Sequence, residues 1–451
     1  MSTSTSESPT QFSSLPDYQD FLTWLKGASK QLAGTNLNIS LEAEFTPLTL
    51  QLQDNDFAAA TGFNDQYSIK PYSLQLSDVS LMFSTRSSAY DVFGVDNQNL
   101  GAFRDDSISP LQLSQTYPEL TYPDSNLADF NDIIWNYIAT YPPVLSSGSR
   151  APTPSNVPVL PLDAPTMILY YRKDVYDKLG LSPPKTWDDH YSNCQTIQKS
   201  GLVPYASASQ ASPSISIAYE FLSHVASFGG ALWNVDGDTI TPNLTDGKVT
   251  AALENFVRFS AFSDAGSIAY SWEDVFESLA HGVSASALLW DGYSTWVNDP
   301  ARSTVTGMMA YSRTPAGPVG SYSTLGSAGV GVSKYSRNPK AAWLWLQWAT
   351  AKGTEAAMIL NKYHVYPTRT SALQIAQVSS ALQSGSLKAA EVTNEVFQSK
   401  SLAALIGFPK WFEALQALST HLNHAWQGVE SPTQALTTAQ DLIGNLGALT
   451  F

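Results

Sequence analysis

The pattern of apolar and polar residues predicts alternating strands and helices in the first part of the chain. Residues 37–45, LNISLEAEF, alternate strictly, which is the period-two pattern of a half-buried strand. The order strand, helix, strand, helix, strand predicts a mainly parallel sheet with helices on both faces. The flanking patterns predict a helix over 17–32, a helix over 47–62, a strand over 72–76, a helix from Asp78 and a strand over 90–96.

The later part of the chain shows the same alternation of predicted strands and helices. Residues 371–451 carry helical patterns alone. Three prolines in VPVLPLDAP, residues 157–165, indicate a change of domain near residue 160. Apolar runs predict strands over 166–171, 202–208, 286–290 and 329–333, and amphipathic patterns predict helices over 214–228, 247–262 and 338–352.

Residues 169–189, LYYRKDVYDKLGLSPPKTWDD, hold several local signals in one short run. The apolar start is typical of the end of a buried strand, and a stub of helix follows it. Gly180 can adopt the left-handed conformation that ends a helix, and the two prolines after it prevent continuation. Thr186 and Asp189 have the spacing of a capping box, so a new helix is predicted to begin at Trp187.

The composition limits the classes of partner. The chain has 451 residues, 43% of them hydrophobic, which is enough for two or three domains with ample cores. Its formal net charge is −15 at pH 7, and such an acidic surface disfavours nucleic acid, anionic membranes and polyanionic solutes. The single cysteine, Cys194, excludes an internal disulfide bond and a multi-cysteine metal site. No apolar run reaches the roughly 18 residues of a membrane-spanning helix.

Residues 1–16 are polar and rich in serine and threonine, which predicts a flexible linker. They have neither the basic nor the apolar region of an export signal. Read literally, this describes a cytosolic chain, but a chain whose export signal has been removed looks the same. The linker would then follow a cleaved signal or a lipid anchor.

The sequence contains no motif for a phosphate-binding loop, a dinucleotide fold, a zinc protease or a serine hydrolase. We therefore expect no cofactor and no metal centre. His421 and His424 have helical spacing and could share a metal ion, but a solvated polar face explains them more simply. Glu42 and Glu44, on one face of a strand, could serve acid–base catalysis, hydrogen bonding to a polyol or solvation.

The stretch over 169–189 resembles a characteristic segment of family 1 extracellular solute-binding proteins, the sugar-capturing components of ABC importers. The resemblance extends over residues 40–451, and the shared order of the segments carries more weight than any one of them. The other similar segments are YDVFGVDNQNLGAF (90–103), FGGALWNVDGDTI (228–240), FESLAHGVSASALLWDGYSTW (276–296), GSAGVGVSKYSRNPKAAWLWLQW (326–348), YPTRTSA (366–372) and GVESPTQALTTAQ (428–440).

The resemblance implies an α/β fold of the two-lobe, type II periplasmic-binding-protein kind. Each lobe would be a mainly parallel sheet flanked by helices, with a helical C-terminal region and solute held in the cleft between the lobes. The implied N-terminal lobe is 17–162 plus 306–362, and the C-terminal lobe is 163–305 plus 363–451. The resemblance also implies a monomeric, extracytoplasmic receptor that closes about a hinge and delivers its solute to the membrane subunits of an ABC transporter.

Open parallel sheets bind ligands beyond the carboxyl ends of their strands, and this rule selects strand ends in both halves of the chain. The resemblance adds Asp163, at the first crossing between lobes, and the turn at 326–327. Trp411 is a further aromatic candidate. The predicted solute-binding residues are Glu44, Phe45, Asp96, Asn97, Gln98, Asp163, Gln210, Trp290, Asp291, Tyr293, Gly326, Ser327 and Trp411.

These residue types suit a neutral carbohydrate, whether a monosaccharide, an oligosaccharide or a polyol. Carboxylates and amides hydrogen-bond hydroxyl groups, and aromatic rings cover C–H faces. A cationic solute such as an amino sugar or a polyamine is the alternative, because the predicted site is acidic. A glycosidase with paired carboxylates is a remote alternative without a matching motif.

Several side chains are assigned to the core or remain open. Trp296 and Trp411 could line either the core or the cleft. Arg369 better suits a role in holding its lobe together than in gripping an anion. Three tryptophans of one apolar helix are expected in the core, namely Trp343, Trp345 and Trp348.

Overall fold

The computed structural model describes residues 15–143, 151–326, 328–361, 363 and 365–451. The chain divides into two compact units. The first unit consists of Met1–Ala164 and Ser327–Ser386, and the second of Pro165–Gly326 and Leu387–Phe451. Each unit is therefore built from two separate segments of the chain. Among the described residues, no helix has both the length and the apolar character needed to cross a membrane.

The segment that ends at Ala164 alternates helices and strands. Residues 1–14 of the predicted linker lie outside the described residues, whereas Leu15 is buried and Pro16 begins a helix. The named elements are α1 (Pro16–Ala28), β1 (Asn36–Glu42), α2 (Phe45–Thr61), β2 (Asn64–Lys70), α3 (Tyr72–Ser84), β3 (Val92–Asp96), α4 (Leu100–Phe103), β4 (Ser107–Ile108), α5 (Pro110–Thr116), α6 (Asp132–Ile134) and β5 (Leu160–Asp163).

The remaining segments continue the alternation and end in helices. From Pro165 to Gly326 the elements are β6 (Met167–Arg172), α7 (Lys173–Leu179), α8 (Trp187–Ser200), α9 (Ile215–Ser227), β7 (Trp233–Asp236), β8 (Thr239–Pro242), α10 (Gly247–Val257), α11 (Trp272–Ala280), β9 (Ser286–Trp290), α12 (Tyr293–Val297), β10 (Met309–Ser312) and β11 (Ser323–Leu325). They are followed by β12 (Ala328–Ser333), α13 (Pro339–Ala349), α14 (Lys352–Leu360), α15 (Ala376–Gln383), α16 (Lys388–Ser399), β13 (Leu402–Ala404), α17 (Trp411–Trp426), α18 (Pro432–Gly444) and β14 (Leu449–Thr450).

The first unit is built on a mixed sheet with strand order β2-β1-β3-β12-β4, and β5 also pairs with β12. Strand β1 runs parallel to β2 and β3, while β12 runs antiparallel to β3, β4 and β5. Strands β1, β3 and β5 therefore point the same way, and their carboxyl ends lie at one edge of the sheet. This edge is where ligands bind in open sheets of this kind.

Helix α13 supplies much of the first unit's core. Trp343, Trp345 and Trp348 are all buried, as predicted. The Trp345 indole N–H donates to the Tyr67 hydroxyl at 3.0 Å, and the Trp348 ring lies 4.8 Å from that of Phe57.

The central sheet of the second unit has the order β10-β6-β9, and both of its pairings are antiparallel. Elsewhere in the second unit, β11 pairs in parallel with β13, and isolated parallel bridges join Tyr205 to Ser284 and Ala208 to Ala287. The mainly parallel pattern predicted for both lobes therefore describes β1, β2 and β3 better than it describes this sheet. The predicted hairpin over 228–240 forms as β7 and β8.

Three sequence predictions of local structure differ from the fold. Residues 72–76 form the start of α3, and the strand lies earlier, at β2. Residues 202–208 form no strand and contribute only the two bridges named above. The C-terminal region carries two short strands, β13 and β14, besides its helices. Five alternating residues are too few to separate a short strand from a helix, and in α3 the side chain of Leu74 is exposed.

The unit boundaries also differ from the implied lobes at the second and third crossings. Residues 306–326 belong to the second unit, because β10 pairs with β6 over four residues. Residues 363–386 belong to the first unit, because Arg369 is anchored there. Its guanidinium donates to the Asn126 carbonyl at 2.8 Å, and its backbone N–H donates to Glu355 at 2.7 Å. The structural role predicted for Arg369 is confirmed.

Candidate functional site

A group of polar side chains gathers at the carboxyl ends of β3 and β5 in the first unit. Asp96 ends β3, Asp163 ends β5, and both pair with Ala328 at the start of β12. The Asp163 carboxylate accepts the Ala328 N–H at 3.0 Å. One residue of the central strand is thus flanked by two carboxyl groups that the sequence predicted as solute contacts.

The Asp96 carboxyl group is held in an unusual electrostatic state. Burial raises its pKa to about 7, and the nearby charge of Asp163 acts in the same direction. Its hydrogen bond from Gln98 Nε2, at 3.0 Å, opposes this rise without cancelling it. Near neutral pH the Asp96 carboxyl group can therefore exist in both protonation states, so it can either donate or accept a hydrogen bond.

Amide and phenol groups complete this arrangement. The Tyr72 hydroxyl accepts hydrogen bonds from Asn99 Nδ2 at 3.0 Å and Gln98 Nε2 at 3.4 Å. Burial raises the pKa of Tyr72, and the Asp96 charge adds to the effect, so the phenol stays neutral. The Asn99 Oδ1 atom is buried and has no hydrogen-bond partner among the described residues. We call Tyr72, Asp96, Gln98, Asn99 and Asp163 the polar cluster.

Three other predicted residues of the first unit follow the carboxyl ends of β1 and β3. Glu44 directly precedes α2, at the point where the chain leaves β1, and is half-buried. Phe45 begins α2, and its ring lies 6.1 Å from that of Tyr363. Asn97 follows β3 and is buried. The strand-end rule therefore identified residues that follow β1 and β3 along the chain.

Trp290, at the end of β9 in the second unit, is largely enclosed. Only 5% of its surface is exposed, and its ring meets Tyr219 edge to face at 5.1 Å. A Cβ atom added to Gly326 would lie 3.1 Å from the Trp290 ring and 3.2 Å from Pro165 Cγ. The indole therefore lies close to Gly326, at the end of the segment Pro165–Gly326.

Asp291 joins β9 to neighbouring elements. One carboxylate oxygen accepts the Thr166 N–H at 3.2 Å, and the other accepts the Thr393 hydroxyl at 2.7 Å. Burial raises the pKa of Asp291 to about 6, although these hydrogen bonds oppose the shift. Because both oxygens already have protein partners, Asp291 holds the strand end in place in this conformation.

Gln210 lies deeper than the sequence suggested. Its side chain is fully buried, and Nε2 donates to the Leu288 carbonyl at 3.3 Å. Its backbone N–H donates to Glu220 at 2.7 Å, and burial raises the pKa of that glutamate to about 8. Gln210 and Glu220 thus form an internal polar pair of the second unit.

The other predicted residues of the second unit are aromatic or lie in a turn. Tyr293 is buried against Phe276, with ring centroids 5.1 Å apart. Trp411 is 1% exposed and packs on Phe408 at 5.8 Å, so it belongs to the core. Gly326 donates its N–H to the Pro165 carbonyl at 2.8 Å, whereas Ser327 lies outside the described residues.

Sequence reasoning missed three members of these polar arrangements. Tyr72 was assigned to a strand, Asn99 lies one residue beyond the selected segment, and Glu220 lies within α9. The NQN run at 97–99, directly after a buried strand, was a signal that would have included Asn99. Nothing local marks Glu220, because its role depends on the distant Gln210 backbone.

The family model described as bacterial extracellular solute-binding protein matches residues 50–356. A curated relative, a probable amino-acid ABC transporter periplasmic-binding protein of Sinorhizobium fredii, is 25% identical over 304 residues. That alignment covers 66% of this chain and 64% of the relative, so the chain matches somewhat less than two thirds of the relative's length.

Solved structures share the fold. A solute-binding protein of an ABC transporter from Agrobacterium radiobacter K84, in complex with ribitol, is 20% identical with a TM-score of 0.77. The match covers 92% of this chain and 99% of that one. The maltose-bound MalE3 of T. maritima is 18% identical, also with a TM-score of 0.77, and the match covers 92% and 100% of the two chains. The predicted two-lobe α/β fold is confirmed.

Proposed function

Because the chain belongs to the family of bacterial extracellular solute-binding proteins, we propose that it is the receptor of an ABC importer for a neutral sugar or polyol. The polar cluster carries this proposal. It offers carboxyl, carboxamide and phenol groups at the ligand-binding edge of a sheet, and it includes no basic side chain. Such groups hydrogen-bond the hydroxyls of a polyol in either direction, since each can accept and most can donate.

We propose that the solute contacts the predicted residues of both units. In the first unit these are Glu44, Phe45 and Asn97 together with the polar cluster. In the second unit Trp290 and Tyr293 would supply apolar contact for C–H faces. The ligands in two structures with this fold, ribitol and maltose, are of the proposed chemical class.

A cationic solute is the second candidate, and a specific observation favours it. Asp96 and Asp163 lie near each other, and the charge of Asp163 raises the pKa of Asp96. An ammonium group between them would relieve this repulsion and would favour both ionised forms. An amino sugar or a polyamine carries such a group.

We also propose an oligomeric state, a location and a mode of action for this receptor. The receptor would act as a monomer outside the cytoplasm, either free in a periplasm or attached by a lipid anchor, and would deliver its solute to the transporter's membrane subunits. It would bind without turnover. Incubation with maltose-type, trehalose-type and xylose-type oligosaccharides should therefore leave them intact.

Titration calorimetry with a panel of solutes tests the proposal. The panel is ribitol, mannitol, maltose, glucosamine, spermidine and glutamate. We expect saturable binding of a neutral member, and a solute at one hundred times its dissociation constant should stabilise the protein by about 2.7 kcal/mol. Asp96→Asn and Asp163→Asn should each weaken binding roughly 10- to 100-fold, since a hydrogen bond to a charged group contributes about 1.5–3 kcal/mol.

Asp105→Asn is the matched control, because that carboxylate is 89% exposed. It should bind every solute as the unmodified protein does. Binding of spermidine or glucosamine alone would replace the neutral solute by the cationic one. Binding of glutamate alone, or full affinity in Asp96→Asn and Asp163→Asn, would contradict the assignment of the polar cluster.

A further inference from the structure

We propose that His421, His424 and Glu430 form a binding site for a divalent transition-metal ion of the zinc or copper(II) type. One nitrogen or oxygen atom from each of these three side chains lies within 4.8 Å of the other two. The site is in the second unit and shares no residue with the polar cluster or with the groups proposed to contact the solute. It is therefore independent of the proposed function.

The local fold explains how the three side chains meet. His421 and His424 lie one turn apart near the end of α17. Gly428, with φ of 71°, adopts the left-handed conformation that turns the chain back on the helix. The Val429 N–H then donates to the His424 carbonyl at 2.9 Å. This turn places Glu430 beside the two imidazoles.

The next helix fixes the position of Glu430 from its other side. Ser431 caps α18, and its side chain forms a capping box with Gln434. Glu430 thus lies between the end of one helix and the start of another, with its own N–H directed at the His424 carbonyl at 3.3 Å. A carboxylate held on a short connection between two helices loses little freedom when it binds an ion.

The distances match those between ligands of one ion. His421 Nδ1 lies 2.8 Å from Glu430 Oε2, and His424 Nδ1 lies 3.5 Å from Glu430 Oε1. Zinc bonds to nitrogen and oxygen are about 2.0–2.2 Å long, so two ligands of one ion are roughly 3.0–3.5 Å apart. Small rotations of the side chains would bring all three donors onto one ion.

The surroundings favour a cation. The His424 Nδ1 atom is buried, and beyond the 3.5 Å approach of Glu430 Oε1 it has no hydrogen-bond partner among the described residues. The carboxyl end of a helix carries partial negative charge, and His424 lies in the last turn of the 16-residue helix α17. An ion at this point would satisfy the buried nitrogen and interact favourably with the helix end.

The donor set selects the class of ion. Two imidazoles and one carboxylate suit zinc, copper(II) or nickel, whereas magnesium and calcium prefer oxygen ligands. Three protein ligands leave one coordination position or more for water. We therefore expect a site that exchanges its ion with solution.

The protein contains a second pair of neighbouring histidine and glutamate side chains, which has two potential metal ligands instead of three. At the end of α11, His281 Nε2 lies 3.0 Å from Glu277 Oε2, and both side chains are more than half exposed. If a simple ion pair between histidine and glutamate accounted for metal binding, this pair would bind as well as the proposed site. His281→Gln is therefore the control variant.

Zinc chloride titration by calorimetry, on tag-free protein stripped with a chelator, tests the proposal. We expect one equivalent of zinc to bind, while magnesium and calcium give no heat. His424→Gln and Glu430→Gln should each weaken binding at least about tenfold, because even the loss of outer-shell partners weakens metal binding by about 10- to 100-fold. His281→Gln should bind zinc as the unmodified protein does.

Circular dichroism and urea denaturation would show that each variant remains folded. The proposal is overturned if neither zinc nor copper(II) binds at millimolar concentration. It is also overturned if folded His424→Gln and Glu430→Gln both keep full affinity, or if His281→Gln loses as much affinity as they do.

Discussion

Buried carboxyl groups are a recurrent feature of this acidic chain at the scale of single residues. Burial raises the pKa of Glu355 to about 7 and that of Glu220 to about 8, and each accepts a backbone N–H at 2.7 Å. Asp96 belongs to this set but lies in the proposed solute site. A carboxyl group whose pKa is raised by burial contributes most to stability at low pH, where it is protonated in both the folded and the unfolded protein. This contribution is lost as the pH rises and the carboxyl group of the unfolded chain ionises.

Asp96→Asn should change how stability depends on pH. The ordinary pKa of an aspartate is 3.8, and that of folded Asp96 is about 7. Its contribution to stability is therefore fully present below pH 4 and is lost as the pH rises from 4 through 7. Asparagine does not titrate, so we expect the variant to gain stability relative to the unmodified protein across this interval.

Urea unfolding at pH 5, 6, 7 and 8 measures this difference. Asp105→Asn, which alters an exposed carboxylate, should follow the unmodified protein at every pH. A difference between Asp96→Asn and the unmodified protein that stays constant from pH 5 to 8 would show that Asp96 ionises normally.

Trp345→Ala should destabilise the first unit. The side chain is fully buried, and its N–H is bonded to Tyr67. We expect the free energy of unfolding to fall by about 3–5 kcal/mol, as losses of large aromatic core residues do. Phe412→Ala, at a side chain 46% exposed, should change it by less than about 0.5 kcal/mol. Urea denaturation compares the two variants, and equal losses would contradict the assignment of Trp345 to the core.

The candidate site was predictable where position along a strand decided it. Asp96 and Gln98 were selected because they follow a buried strand, and both lie in the polar cluster. Trp411 and Gln210 were selected by residue type and by approximate position, but the structure buries both. The depth of a side chain depends on which distant elements cover it, and that information is not local.

At the scale of elements, capping signals predicted boundaries well. Thr186 and Asp189 form the predicted capping box, and α8 begins at Trp187 as expected. Gly180 ends α7 in the left-handed conformation. These motifs are self-contained, since donor and acceptor lie within four residues. The short strand predicted at 72–76 had no such signal, and the apolar alternation there was misleading.

The packing of α1 on α14 requires a glycine. A Cβ atom at Gly353 would lie 2.5 Å from the backbone nitrogen of Tyr18, and no side-chain rotation relieves a clash with backbone. Gly353→Ala should therefore lower the free energy of unfolding by about 1–3 kcal/mol or more, as overpacking does. Urea denaturation with far-UV circular dichroism measures the loss.

Gly27 of α1 offers a matched substitution in the same helix pair. A Cβ atom there meets nothing within 4 Å. Gly27→Ala should raise stability by up to about 0.5–1 kcal/mol, because alanine restricts the unfolded chain and favours the helix. If both alanine variants were equally stable, the close approach of α1 and α14 would not be what Gly353 provides.

At the scale of the whole molecule, we expect the solute to change the shape of the protein. A solute that contacts side chains of both units favours the conformation in which all of them are within reach. Hinge closure of periplasmic binding proteins follows this principle. We predict that a saturating solute reduces the radius of gyration measured by solution scattering.

Trp290 provides a second signal for the same experiment. Its indole lies close to Gly326, where the chain passes between units, so movement there should alter tryptophan emission. Asp96→Asn should shift both changes to solute concentrations roughly 10- to 100-fold higher, in proportion to its weaker binding. An unchanged scattering curve at proven saturation would contradict closure.

Because each unit is built from two separate segments, the order of synthesis determines when each unit can be completed. Strand β12 pairs with β3, β4 and β5, yet it follows the whole segment Pro165–Gly326. The second unit is likewise incomplete until α17 has been synthesised. In that helix, Asn423 Nδ2 donates a hydrogen bond to the Ala211 carbonyl at 2.6 Å. A nascent chain emerging from its N-terminus cannot complete either unit until most of its length has left the ribosome. Translation therefore includes a long interval in which neither unit is complete.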